Sequence, residues 1–198
     1  MNKTACQTLK PPEINVKSIV KLIQDCKPGK APGPDGIRKK NLTIDITQAA
    51  SCLTMIFHKS LEQGKLPLAW ISANVTPIHI AGPADTVNNY RPISLTSIPC
   101  KILEHIVLRN LLAKVDQHIY NKQHRFRKGL PCKTLLCATL NDILSSVDKQ
   151  KSVYAAVLDF SKAFDRVPHA LLMKKLSIIE AIDHYLLEWI HSFFQGRF

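Results

Sequence analysis

The chain has 198 residues, of which 45% are hydrophobic, and its 27 lysines and arginines against 15 aspartates and glutamates give a net charge of +12. These values are typical of a globular protein with one ordinary domain or two small ones, and they exclude a disordered tail and a collagen-like chain. No window is apolar enough to predict a transmembrane helix, and no apolar segment near Met1 predicts a secretory signal. We therefore expect an intracellular protein without a membrane partner, with its six cysteines as free thiols. The composition leaves the oligomeric state open.

The positive charge is concentrated in two short segments. Residues 27–40 contain five basic residues and one acid, and residues 122–133 contain five basic residues and no acid. Basic surfaces of this kind attract phosphates, because binding releases counterions. A generic basic surface is the alternative on composition alone. A zinc site is disfavoured, because the spacing of its candidate ligands fits no common zinc module: His118, His124, Cys132 and Cys137.

Hydrophobic periodicity and turn residues predict the order of the elements. Helices are predicted over residues 13–26, 40–63, 97–115, 134–147, 168–176 and 183–194, and strands over residues 75–80, 90–95 and 153–158. Residues 27–36 are rich in proline and glycine, which predicts a shaped loop. We expect the first two strands to form a hairpin-like unit. The continuous apolar run of the third predicts a strand buried on both faces.

A carboxylate stands at the end of that third strand. Asp159 directly follows the apolar run, so packing of the strand is expected to hold it rigidly. Metal-ion phosphoryl chemistry uses a carboxylate held in this way, since Mg²⁺ prefers carboxylate oxygens. An aspartate that only caps the turn after the strand is the alternative reading of this position.

The sequence around Asp159 resembles a known motif. Residues 158–169, LDFSKAFDRVPH, are similar to the first catalytic motif (motif A) of reverse transcriptases, and most similar to those of non-LTR retrotransposons of the long interspersed element type. Three further blocks resemble the same family in the same order: KPGKAPGPDGI at residues 27–37, NYRPISL at residues 89–95 with CKILE at residues 100–104 after it, and QHRFRKG at residues 123–129. The resemblance extends from about Val16 to the last residue.

The resemblance implies an α+β fold, namely the fingers and a partial palm of a right-hand, reverse transcriptase-like polymerase. Residues 1–26 would be an N-terminal amphipathic lead-in, residues 27–150 the fingers region, and residues 151–198 the start of a truncated palm. The implied activity is RNA-directed DNA synthesis by two-metal nucleotidyl transfer. Its implied partners are an RNA template, a DNA primer and dNTP, and its implied cofactor is Mg²⁺.

The resemblance also implies roles for individual residues. Asp159 would bind the catalytic Mg²⁺ ions with help from the carbonyl of Phe160, and Phe164 would lie under the incoming sugar. Arg91 would hold the triphosphate, a task that suits the guanidinium fork. Nucleic-acid backbone would be contacted by four residues of the two basic loops, Lys27, Lys30, Arg127 and Lys128. The alternatives are a core aromatic for Phe164, a surface ion pair for Arg91 and solvated charge for the loops.

Two polar residues of motif A are not predicted to bind the metal. We expect a capping or packing role for Asp165 and a structural role in the first helical turn for His169.

The sequence also departs from the family pattern. The family's motifs B and C, which carry the remaining metal carboxylates, do not follow Asp159, and the later acids Glu180, Asp183 and Glu188 are spread over helical sequence. We therefore expect a truncated domain whose metal site is incomplete and which is inactive alone. Arg125 replaces a usual glycine, and such losses indicate a decaying element copy or one read through a frame shift. A non-catalytic nucleic-acid-binding remnant is the alternative function.

Overall fold

The computed structural model describes residues 14–161 and 163–195 of the chain. Within these ranges the protein forms seven α-helices and one two-stranded sheet. The helices are α1 (Val16–Asp25), α2 (Lys39–Thr43), α3 (Ile46–Glu62), α4 (Ile98–Val115), α5 (Cys132–Asp148), α6 (His169–Ser177) and α7 (His184–Phe194), and the strands are β1 (Asn74–His79) and β2 (Tyr90–Leu95). The mixture of helices and sheet agrees with the predicted α+β class. No helix among the described residues is long and apolar enough to cross a membrane.

The chain divides into two compact units. The first unit comprises the chain up to Leu111 together with the chain from His169 onward, and the second unit is Leu112–Pro168. The first half of the predicted lead-in, residues 1–13, and Lys162 of motif A lie outside the described residues.

Helix α1 shows why the apolar periodicity predicts helices well in this chain. Asn15 precedes the helix, and its side chain accepts a hydrogen bond from the backbone N–H of Ser18 at 2.9 Å. This bond satisfies one of the N–H groups that have no partner within the helix. Ile19 and Ile23, one helical turn apart, are fully buried. Four other predicted helices, α4 to α7, are confirmed to within one turn at each end.

The single helix predicted over residues 40–63 is wrong in one respect, because the structure divides it into α2 and α3. The break falls at Asp45, whose backbone is not helical, with φ −132° and ψ 88°, and whose carboxylate accepts a hydrogen bond from the N–H of Gln48 at 3.0 Å. Aspartate favours this capping position, since its oxygen replaces the missing intrahelical acceptor. An apolar stripe continues across the break, so periodicity alone does not reveal it.

The predicted hairpin is confirmed. Strands β1 and β2 pair antiparallel, with Asn74 opposite Leu95 and His79 opposite Tyr90. Pro77 lies opposite Pro92. Neither proline can donate a ladder hydrogen bond, which is tolerated because both strands are edges of a two-stranded sheet.

The hydrophobic core lies in the first unit. All the fully buried apolar side chains among the described residues belong to it, and the largest include Phe57 and Trp189. The ring of Trp70 meets Phe57 edge to face, with centroids 5.8 Å apart, which is a favoured arrangement for aromatic pairs. Leu103 of α4 is also fully buried.

A hydrogen-bond chain joins α7 to the end of α3. The indole Nε1–H of Trp189 donates to Ser60 Oγ at 3.0 Å, and Ser60 Oγ donates to the carbonyl of Lys65 at 2.6 Å. Gly64, with φ +59°, ends α3 where a Cβ would lie 2.8 Å from the Cβ of Glu188. These contacts hold α7 against the turn that follows α3, although 129 residues separate Trp189 from Ser60.

The second unit has no buried side chain among its described residues, and α5 in particular buries none of its apolar residues. The predicted strand at residues 153–158 is wrong, since these residues form no regular structure and the side chains of Tyr154 and Val157 are 96% and 95% exposed. A strand forms only beside a neighbour that satisfies its backbone groups. Among the described residues the β1–β2 hairpin is the only sheet, and this segment does not join it.

Candidate functional site

Residues 27–38 of the first basic segment form an ordered loop, here called the basic loop, and Lys39 and Lys40 begin α2. The N–H of Gly36 donates to the carbonyl of Gly33 at 3.1 Å, and the carboxylate of Asp35 accepts a hydrogen bond from the N–H of Ile37 at 3.2 Å. Turns of this type are built from glycine and aspartate, because the aspartate side chain bonds to the backbone two residues later. The loop therefore has the shaped conformation that its sequence predicts.

The loop rests on the backbone that leads into α4. Gly33 is buried, and a Cβ at this position would lie 2.5 Å from the backbone nitrogen of Ser97 and 2.7 Å from the carbonyl carbon of Thr96. These distances are too short for any side chain, so only glycine allows the two backbone segments to approach this closely. The contact anchors the basic loop to the core.

Two hollows lie beside this loop, and Lys30 lines both. The first hollow has a volume of about 350 Å³ and is lined by Lys27, Lys30, Lys101, His105 and Asp25 together with apolar residues. The second hollow, here called the Lys40 hollow, has a volume of about 530 Å³. Its charged lining residues are Lys30, Arg38, Lys39 and Lys40. The structure thus brings the predicted contact residues Lys27 and Lys30 together.

One lysine of the Lys40 hollow has a structural role. The Nζ of Lys39 donates to the carbonyl of Gln24 at 2.7 Å and also to the carbonyl of Cys26. A cation at the end of α1 compensates the partial negative charge of its free carbonyl groups. The bond fixes the start of α2 against the end of α1.

Arg91 lies on β2 of the first unit, opposite Ile78 on β1. Its side chain is exposed and forms no ion pair with any acid that the structure describes. The surface ion pair considered for Arg91 is therefore not found among these residues, and the guanidinium is accessible.

Arg127 of the second basic segment is paired. Its Nε and Nη2 donate to the two carboxylate oxygens of Asp116 at 3.1 and 3.2 Å, and its Nη1 donates to the carbonyl of Tyr120 at 3.4 Å. The Arg127 side chain is only 14% exposed. It therefore ties the loop to the residue that follows α4, whereas the neighbouring Lys128 is exposed.

Three residues of the second unit form an aromatic cluster. Phe126 and Phe164 meet edge to face with ring centroids 6.0 Å apart, and the guanidinium of Arg125 lies 5.3 Å from the centre of the Phe126 ring. Phe164 is 76% exposed, so it is not the core aromatic that was the alternative for this residue. Phe126 has φ +65°, an unusual conformation for a bulky residue.

Motif A lies on an exposed segment of the second unit. Asp159 is exposed, and Phe160 is 80% exposed. A carboxylate and a backbone carbonyl are hard oxygen ligands, which suit Mg²⁺, and this ion is often held by one or two carboxylates together with substrate phosphates. The two groups therefore fit part of a Mg²⁺ coordination shell. No group of three or more His, Cys, Asp and Glu side chains among the described residues could hold a metal ion.

Asp165 and His169, the two polar residues of motif A that are not predicted metal ligands, lie in different surroundings. Asp165 is exposed in the turn before α6. His169 is the first residue of α6, and its ring stacks on Phe194 of α7 with centroids 4.5 Å apart. This contact agrees with the structural role expected for His169.

Residues 38–40 of the Lys40 hollow were not among the predicted contact residues. The run Arg-Lys-Lys, one residue after the proline- and glycine-rich loop, was the available signal. What the sequence does not reveal is that α2 turns this run back toward Lys30.

Comparison with known proteins gives consistent matches. The sequence is 32% identical over 187 residues to the RNA-directed DNA polymerase from mobile element jockey of Drosophila melanogaster, covering 93% of this chain and 20% of that protein. It is 30% identical over 168 residues to the Retrovirus-related Pol polyprotein from type-1 retrotransposable element R2 of Popillia japonica, covering 83% of this chain and 22% of that protein. The chain thus spans about a fifth of the length of the curated relatives that it matches.

A family description matches the second part of the chain. The reverse transcriptase (RNA-dependent DNA polymerase) family matches residues 81–198, which include the second basic segment and motif A. This match and the relatives confirm the predicted resemblance to non-LTR retrotransposon polymerases. Since more than half of the sequence is matched, the chain belongs to the reverse transcriptase family.

Proposed function

We propose that this chain is the part of a retrotransposon RNA-directed DNA polymerase that binds the template and primer backbone and supplies one carboxylate of the metal site. The family match over residues 81–198 carries this proposal, because it includes both a basic loop and Asp159. In this proposal residues 27–150 form the fingers and residues 151–198 begin the palm. The substrates are an RNA template, a DNA primer and dNTP.

The proposed reaction is attack of the primer 3′-hydroxyl on the α-phosphate of a dNTP, with pyrophosphate as the leaving group. Asp159 and the carbonyl of Phe160 would hold Mg²⁺, which when bound stabilises the charge on the attacking and leaving oxygens. The exposed guanidinium of Arg91 can donate two parallel hydrogen bonds to triphosphate oxygens. The exposed ring of Phe164 can pack against the sugar of the nucleotide.

Nucleic-acid binding is proposed for the basic loops. Lys27, Lys30 and Lys128 are exposed and can approach phosphates directly. Arg127 would either hold its loop in place through Asp116 or exchange that carboxylate for a phosphate. Lysine and arginine contacts to phosphates position a protein on nucleic acid without reading its sequence.

The binding test uses fluorescence anisotropy of the complete chain with a labelled RNA–DNA primer–template. Four phosphate contacts predict a slope of about −2.8 to −3.6 in log K against log salt, which is a loss of about 50- to 150-fold in affinity between roughly 50 and 200 mM KCl. Lys27→Gln with Lys30→Gln should make the slope shallower. Lys174→Gln with Lys175→Gln on α6 is the control, since it removes the same charge from exposed positions of the first unit. A flat salt dependence of the unmodified chain would contradict the proposal.

Catalysis is tested separately by primer extension on an RNA template with Mg²⁺. We expect no extension by the isolated chain, because a two-metal site cannot be completed by one carboxylate alone. Extension that Asp159→Asn abolishes would show that this expectation is wrong and that the chain is an active polymerase.

A non-catalytic nucleic-acid-binding remnant would give the same binding curve. A Mg²⁺ titration with dNTP, followed by NMR on the backbone amides of Asp159 and Phe160, separates the two proposals. Saturable shifts that are lost in Asp159→Asn support the polymerase part. Their absence in the unmodified chain supports the remnant.

A further inference from the structure

The Lys40 hollow is lined by cations without any acid. Its walls are residues 28–32 of the basic loop together with Arg38 and α2, and four of its nine lining residues are basic. The adjoining first hollow, in contrast, has Asp25 among its lysines. Like charges held close together repel one another and destabilise the folded chain, unless an anion lies between them. The Lys40 hollow is therefore the stronger candidate for an anion site.

Three of the four cations are free to bind. Lys30, Arg38 and Lys40 are exposed and form no ion pair with any acid in the described part of the chain. Lys39 is occupied by the carbonyl groups at the end of α1, but its charge still contributes to the potential of the hollow. A phosphate can thus be met by a guanidinium fork and two ammonium groups.

Both walls of the hollow are held in place before anything binds. The loop is anchored by the close contact of Gly33 with Thr96 and Ser97, and the beginning of α2 is held by the Lys39 hydrogen bonds. A site formed in advance avoids part of the entropy cost of ordering side chains and loops on binding. The volume of about 530 Å³ is also within the usual range of ligand pockets.

We infer that the Lys40 hollow binds a backbone phosphate of the polynucleotide, with Arg38 and Lys40 as contact residues in addition to Lys30. This inference rests on the proposed function and deepens it, because it names the place on the first unit where the nucleic-acid backbone is held. Membership of the reverse transcriptase family favours nucleic acid over an acidic peptide as the source of the anion.

The test compares the complete chain with Arg38→Gln combined with Lys40→Gln, using anisotropy of a fluorescein-labelled single-stranded RNA across a series of KCl concentrations. Loss of two phosphate contacts should reduce the magnitude of the salt slope by about 1.4, since each contact on a single strand contributes about 0.7. The control Lys174→Gln with Lys175→Gln removes the same charge and should leave the slope within about 0.3 of the unmodified value.

The possible outcomes separate failure of this inference from failure of the proposed function. If the unmodified chain binds RNA and the hollow variant has an unchanged slope, the inference is wrong and the proposed function stands. If the control loses as much slope as the hollow variant, only the net charge matters and the hollow is not a site. If the unmodified chain binds no RNA, the proposed function fails as well.

Two further measurements serve as controls for the nature of the bound anion and for the fold of the variant. A poly-glutamate peptide that competes as well as unlabelled RNA of equal charge would overturn the assignment to phosphate. Far-UV circular dichroism and urea unfolding check the fold of the variant, and Lys30→Gln with Lys40→Gln takes its place if the fold is lost. This second pair should reduce the slope by the same amount.

Discussion

Substitution of Gly33 by alanine tests how the basic loop is positioned. The added Cβ would lie 2.5 Å from the nitrogen of Ser97 and 2.7 Å from the carbonyl carbon of Thr96, against an ordinary contact of 3.4 Å or more. The difference is about 0.9 Å, and the atoms that must move belong to the backbone of two segments rather than to flexible side chains. We therefore expect the loop to be displaced from the beginning of α4.

The cost follows from this overlap. Overpacking a close contact destabilises a protein by about 1–3 kcal/mol. For a chain of this size each kcal/mol lowers the melting temperature by about 2–4 °C, so the expected decrease is about 2–12 °C. Because Lys30 and the wall of the Lys40 hollow move with the loop, RNA affinity should also fall.

The assay is thermal and urea unfolding followed by circular dichroism, together with RNA anisotropy on the same samples. Gly29→Ala and Gly36→Ala are informative controls, since a Cβ at either position meets nothing within 4 Å. Their φ values of +78° and +67° still impose a backbone cost of about 1 kcal/mol. Gly33→Ala with unchanged stability and unchanged RNA affinity would refute the close-contact argument.

Three further substitutions test hydrogen bonds and an ion pair that lie within one unit or the other. Ser60→Ala leaves the buried indole N–H of Trp189 without its acceptor, so it should lower the free energy of unfolding in urea by about 1–3 kcal/mol. In a Trp189→Phe background the same change should cost much less. Equal costs of Ser60→Ala in the two backgrounds would contradict the hydrogen bond. Asp183 caps α7 by accepting a hydrogen bond from the N–H of Leu186, so Asp183→Ala should cost about 0.5–2 kcal/mol and Asp183→Asn clearly less; equal unfolding midpoints of the two variants would contradict this role. Asp116→Asn weakens the ion pair with Arg127 by about 0.2–1 kcal/mol. Trypsin should then cleave the second basic segment up to about five times faster. An unchanged cleavage rate would show that the ion pair does not hold this segment in place.

Local signals in the sequence predict most of the secondary structure correctly. Strand β2 has the predicted bounds, because the turn-rich residues 82–89 mark where it begins. The break at Asp45 was missed, since a single capping aspartate lies within a continuous apolar stripe and decides the conformation through one hydrogen bond. Periodicity averages over many residues and does not detect such a bond.

The error at residues 153–158 has a different origin. An apolar run is compatible with a strand buried on both faces, but a strand exists only where neighbouring backbone satisfies its hydrogen bonds. The composition of the run contains no information on that neighbour. Within the described chain none is present beside it, and the side chains are exposed.

The candidate site was also only partly predictable from the sequence. Its charged residues are recognisable as two basic segments, but the partner of Arg127 is an aspartate 11 residues earlier in the chain. The role of Arg127 in nucleic-acid binding stays a prediction, as do the roles of Asp159, Arg91 and Phe164.

Family membership and the positions of the charged segments follow from the sequence, because motif order, turn residues and charge are properties of the chain itself. The Lys40 hollow, the contact of Gly33 with Ser97 and the bond between Ser60 and Trp189 arise only on folding. Each of them joins residues from different elements. Their proximity depends on how helices and loops pack, and local propensities within one segment do not specify that packing.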